Sequence, residues 1–145
     1  MGKSFDNDVM DGPPPDYCHS YALDQQVAAI RDMTKECHGR SVRAGWYNDP
    51  ETGAPIARNL AEMMALEHSE ISERLEAVRK NLPSGHLSGF SGEEEEAADS
   101  LIRLMDYCGH RGIDLGKVYV AKLLYNATRE DHKLEARAAS GGKKF

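Results

Sequence analysis

The chain has 145 residues, 40% of them hydrophobic and 29% charged, a composition that fits one globular domain with a reasonable core. Its formal net charge of -6 argues against general binding to nucleic acid or an anionic membrane, and no stretch approaches the roughly 20 apolar residues that span a bilayer. No apolar segment follows Met1 as in a secretory signal, and Cys18, Cys37 and Cys108 are widely spaced without a CxxC, so free thiols in a cytoplasmic setting are expected.

Residues 1–20 are polar and include Gly12-Pro13-Pro14-Pro15, which predicts a flexible N-terminal arm. Val27, Ile30 and Met33 recur at helical spacing and predict a first helix over 24–38. Gly39 and the segment from Gly45 to Gly53, which contains Trp46, break that pattern and read as a loop. Pro55 suits the first turn of a second helix that continues to about Asn81, before Pro83. A Gly- and Ser-rich loop follows, and Ser91-x-x-Glu94 is a capping-box signature for a third helix reaching about His110. Gly112 ends it, Asp114 can cap a fourth helix to about Leu134, and residues 136–145 read as a flexible tail. With no strand pattern, the expected fold is all-α: an antiparallel bundle of about four helices within a domain over 21–135.

Glu67-x-x-Glu70 on the second helix and Glu96-x-x-Asp99 on the third each place two carboxylates about one turn apart, and Glu73 extends the first pair by the same spacing. Such neighbours repel when charged, which calls for a cation; carboxylate-only sets suit hard divalent ions such as Mg²⁺ or Mn²⁺. On a wheel of about 100° per residue, Leu60, Met64, Ile71, Leu75 and Val78 form one apolar arc. Glu67 lies inside that arc, Glu70 at its edge and Glu73 farther toward the polar side. A carboxylate on a buried face needs a metal, a cation or a raised pKa, and Arg74, one pitch away, is the competing local partner. Glu96 and Asp99 share an arc apart from Ala98, Leu101, Met105 and Cys108, so they read equally well as ligands or as a solvated surface; Glu93 and Glu94 read as a solvated first turn.

On the fourth helix Lys122, Asn126, Arg129 and Lys133 recur as one stripe, suited to polyphosphate oxygens or, more blandly, to a solvated basic face. Leu124 and Tyr125 are expected in the core. Cys37 beside His38 and Cys108 near His110 do not make a nucleophilic pair, because sequence neighbours on a helix do not face each other.

The ordered set Leu66-Glu67-His68-Ser69-Glu70-Ile71-Ser72-Glu73, then Glu96-Ala97-Ala98-Asp99, then Gly112-Ile113-Asp114-Leu115, then Lys122 to Arg129 resembles the MazG-like nucleoside triphosphate pyrophosphohydrolases of the all-α superfamily. The likeness covers roughly 24–133. It implies hydrolysis of a nucleoside triphosphate between the α and β phosphates, giving the monophosphate and pyrophosphate. It further implies Mg²⁺, with Mn²⁺ as a substitute, held by Glu67, Glu70, Glu96 and Asp99. An alternative register uses Glu70 and Glu73, leaving Glu73 as a ligand or as an outer carboxylate; Glu70 or Glu73 is the general base. By the same resemblance Lys122, Asn126 and Arg129 contact phosphates, Trp46 is a candidate base contact, and the chain assembles as a homo-oligomer, dimer or tetramer. The competing expectation is a noncatalytic helical interaction protein that keeps the fold and the ion.

Overall fold

A computed structural model describes residues 16–142, with side-chain surroundings from Ala22 onward; among these residues it is all-helical, with two isolated β-bridges and no strand. The expected arm over 1–20 lies mostly outside the described residues. Helix α1 spans Asp16–Arg43, longer at both ends than expected. Gly39 does not stop it: a lone glycine costs a helix about 1 kcal/mol, which tertiary packing readily overrides.

Helix α2, Leu60–Lys80, begins later than the sequence suggested. Pro55 is engaged in a bridge with Asn48, and the Ile56 amide donates to the Tyr47 carbonyl at 3.0 Å, so this segment is tied back to the preceding loop. Asn59 is the true N-cap; its side chain accepts from the amides of Ala61 and Glu62, an arrangement worth about 1 kcal/mol. Helix α3, Gly92–Arg111, opens with the expected capping box, Ser91 and Glu94 bonding reciprocally, and closes on left-handed Gly112 at φ 65°.

Asp114 caps α4, Leu115–Thr128, which stops short of the expected end. A 3₁₀ turn, Glu130–His132, and a short α5, Leu134–Ala138, follow; α5 occupies part of the stretch expected to be tail. The physical reason is local. The Thr128 hydroxyl donates to the Tyr125 carbonyl at 2.8 Å, competing with the helical ladder, while extended Arg129 bonds Asp131 through its Nε at 2.9 Å.

Helix α3 lies between α2 and α1, and α4 packs on α1 alone to any extent. Neighbours run antiparallel. Gly109 of α3 meets His38 so closely that a Cβ there would sit 2.5 Å from the His38 Cβ, and at Gly116 of α4 one would sit 2.5 Å from the Val27 carbonyl oxygen. Thus the C-terminal half of α1 carries α3, and the part of α1 before Arg31 carries α4. The turn between them is pinned by a two-pronged bond from Arg31 to Asp114.

The buried apolar residues among those described are Met63, Ala77, Met105, Cys108 and Val120, and no large side chain is wholly enclosed. The apolar arc expected to be the buried face of α2 instead points outward, with Met64, Ile71, Leu75 and Val78 exposed. The inward stripe is Met63, Glu70 and Ala77, because small Ala77 opposite Gly92 lets the two backbones approach there. Leu124 and Tyr125, expected in the core, are exposed as well. Among the described residues no helix is long and apolar enough to cross a membrane.

The Arg31 pair and the Lys117 amide hold the Asp114 carboxyl down at about 2. A depressed carboxyl contributes stability that is present above its unfolded pKa of about 3.9 and lost as pH falls through the folded value. Asp114→Asn keeps a capping side chain but loses the ion pair. It should therefore lower the thermal midpoint at pH 7, with the gap to wild type closing between pH 4 and 2 in calorimetry; a gap that persists unchanged at pH 2 would refute this.

Candidate metal centre

Glu70, on the inward stripe of α2, is buried and faces Glu96 and Asp99, one turn apart on α3; one oxygen from each can be chosen so that all three lie within 4.8 Å of one another. The helix pairing creates this cluster, since α2 and α3 run antiparallel and meet along the line of Ala77 and Gly92. Burial raises the Glu96 carboxyl first. The charge of Glu73, a hydrogen bond with Glu70, and the charges of Glu70 and Asp99 add to it. Asp99 is raised by burial and then by Glu70 and Glu95, against the opposing charges of Arg103 and His86. Proximity of like charges in a partly desolvated place favours the neutral acids, as it must. The cation that meets Glu70 is Arg103 of α3, donating through Nε to Oε1, and not Arg74 of its own helix.

The other expected residues divide. Glu67 is half-buried beside Cys108, whose thiol its charge helps to raise after burial, and it is not part of the three-carboxylate group. Glu73 is exposed, and of the two flanking acids it is the one whose charge acts on Glu96. The wheel placed Glu67 inward because it took the outward apolar arc for the core. Cys37 and Cys108 are free, and burial pushes both thiols up, away from nucleophilic use.

A cavity of about 740 Å³ opens beside the cluster, with Trp46, Arg58, Asn59, Asp99, Arg103 and Asp106 on its walls. Trp46 is 66% exposed, so its ring is available to a ligand. The loop carrying it is anchored to α3 and α1. Tyr47 donates its hydroxyl to Asp106 Oδ1 at 2.9 Å, the same oxygen stands 2.8 Å from His38 Nδ1, and the Arg58 guanidinium donates to the Trp46 carbonyl at 2.6 Å. Burial, then the bond to Asp106, push the Tyr47 phenol well above its usual range, so it remains a donor. Within the loop, Asp49 Oδ1 accepts from the Thr52 amide and hydroxyl, each at 2.8 Å.

Lys122, Asn126 and Arg129 are not brought to the cavity of their own chain. Lys122 lies over the Tyr125 ring at 4.6 Å, Arg129 follows the last turn of α4 and bonds Asp131, and Asn126 has a buried Oδ1 without a hydrogen-bond partner. Lys133 falls outside α4 and bonds Glu130 at 2.6 Å.

Sequence reading missed Glu95, hidden in the run of four glutamates. It is buried and accepts from the Ser84 hydroxyl at 2.7 Å and the Gly85 amide at 3.0 Å, and its other oxygen stands 2.7 Å from His86 Nδ1. These bonds hold its carboxyl low and staple the loop between α2 and α3 onto α3. The polar turn Ser84-Gly85-His86 was the available signal. Arg58, Arg103 and the His38–Asp106–Tyr47 network were missed too, because they depend on contacts distant in sequence. Compared with known proteins, the chain matches no family model, no curated protein and no solved structure.

A raised carboxyl contributes stability that is present below its unfolded pKa and lost as pH rises through the folded value. Glu96→Gln removes that liability. In EDTA the variant should melt above wild type at pH 7, with the advantage vanishing near pH 4. A variant less stable than wild type at pH 7 would count against the mutual repulsion inferred here.

Proposed function

We propose that this chain is a Mg²⁺-dependent nucleoside triphosphate pyrophosphohydrolase of the MazG-like kind, converting (d)NTP to (d)NMP and pyrophosphate. One observation carries this: three carboxylates from two helices converge at the edge of a cavity whose walls also hold Trp46, Arg58 and Arg103. An all-oxygen, anionic donor set suits Mg²⁺ or Mn²⁺ and suits thiol-seeking metals poorly. Glu70, Glu96 and Asp99 would hold the ion, with Glu67 and Glu73 as the flanking acids; when bound, it supplies charge neutralisation and Lewis-acid polarisation at the α-phosphoryl group.

The chain's own groups do the rest. Glu73, exposed and with a charge that acts on Glu96, would take the proton of the attacking water, and Glu70 is the alternative base. Arg58, held by the Trp46 carbonyl, supplies positive charge toward the leaving pyrophosphate. Trp46 stacks on the base. Lys122, Asn126 and Arg129 serve phosphates from a second copy of the chain, since α4 diverges along α1 away from its own cavity. The outward apolar arc of α2 and exposed Leu123, Leu124 and Tyr125 on α4 support a homo-oligomer, dimer or tetramer.

That same apolar surface also favours a second reading, a noncatalytic helical interaction protein that retains the fold and the ion. A pyrophosphate-release assay over standard and modified dNTPs, with and without Mg²⁺, separates the two. No release from any nucleotide by protein that binds Mg²⁺ would discard the enzyme.

Glu70→Gln and Asp99→Asn should each reduce turnover by about 100-fold or more while circular dichroism keeps its helical signal; near-normal turnover in either removes that residue from the site. Trp46 is the chain's one tryptophan, so its fluorescence reports this cavity alone. A Mg²⁺–nucleotide complex should quench it in wild type and far less in Asp99→Asn at equal concentration; equal quenching in both would place the base elsewhere.

A further inference from the structure

Glu70 is buried, its side chain only 8% exposed, and its cationic partner is Arg103, whose own side chain is 43% exposed and stands on the cavity wall. The guanidinium thus has one end in the acidic cluster and room on the other side. Arg103 already meets the charge of this buried carboxylate through Oε1, and a divalent ion drawn to the same carboxylate would repel the guanidinium, so the two cations compete for Glu70. An arginine fork released beside the cluster is well shaped for phosphate oxygens, and the cavity is where those would lie.

We propose that Arg103 is a built-in counter-ion that neutralises Glu70 in the ion-free protein, gives way when a divalent cation arrives, and then holds a phosphate group in the cavity. The proposal rests on the metal reading above, and it makes Arg103 a ligand-contacting residue that couples the two ligands. In the ion-free state the pair keeps the buried carboxylate compensated, so α2 and α3 remain docked. With the ion bound, the displaced guanidinium adds positive charge on the side of the cavity that lies against Asp99. Anion binding is therefore stronger after cation binding than before it.

The test is Mn²⁺ binding, read by electron paramagnetic resonance on nucleotide-free protein, in wild type, Arg103→Gln and Glu70→Gln. Removing a competitor should tighten Mn²⁺ in Arg103→Gln by about three- to tenfold, whereas a merely structural arginine would leave it unchanged or weaker. Pyrophosphate affinity at saturating Mg²⁺ should fall about tenfold in the same variant, and in Arg103→Lys, which keeps the charge without the fork, by less. Unchanged or weaker Mn²⁺ binding in Arg103→Gln overturns the counter-ion role, and unchanged pyrophosphate affinity overturns the phosphate role. No Mn²⁺ binding by wild type overturns the metal reading itself and this proposal with it. Should Arg103→Gln fail to fold, the wild-type Arg103 Nε–H resonance decides: it should shift on Mg²⁺ saturation, and a resonance that stays in place refutes the exchange.

Discussion

Glu70 is the constraint around which the rest is arranged. A carboxylate on the contact stripe between two helices is costly unless something positive meets it, and here two more acids face it from the other helix. The protein meets that cost in two ways: an arginine reaching across from α3, and carboxyls on Glu96 and Asp99 that hold their protons more tightly. Neither is as good as a divalent ion, which can satisfy all three at once. Under the proposed metal reading, the pairing of α2 with α3 and occupancy of the cluster would be linked, since whatever neutralises the cluster also strengthens the helix contact.

The long α1 imposes a second constraint. It gives its C-terminal half to α3 and its earlier part to α4, so α4 is drawn along α1 and away from α2. The contacts at Gly109 and Gly116 keep both partners close. What this leaves behind is apolar surface: the outward arc of α2 and the free face of α4, with no large side chain wholly enclosed among the described residues. That exposed surface is the physical ground of the second copy proposed above.

Local signals were legible in the sequence and long-range ones were not. Ser91 with Glu94, Gly112 and Asp114 act through bonds within a few residues, and each stands where it was expected. The start of α2 was misplaced because Pro55 is permissive at a helix start yet is claimed by a bridge to Asn48, leaving Asn59 to cap. The end of α4 was misplaced because Thr128 and Arg129 bond back to local groups and break the stripe containing Lys133. Of the four acids expected as ligands, Glu70, Glu96 and Asp99 do come together, whereas Glu67, favoured by the wheel, lies outside that group. A wheel reports which side of a helix is apolar; it cannot say whether that side faces a neighbour in the same chain or another chain.

That ambiguity also explains why Glu67 and Glu73 exchange prominence. If the apolar arc were the intramolecular face, Glu67 would sit inside it; with Met63, Glu70 and Ala77 inward, Glu67 turns toward Cys108 and Glu73 toward Glu96. One choice of helix face thus decides two things together: which acids converge, and which hydrophobic residues stay exposed. The cluster and the exposed arc are complementary consequences of the same rotation of α2. Any change that rolled α2 about its axis would cover the apolar arc only by turning Glu70 away from Glu96 and Asp99.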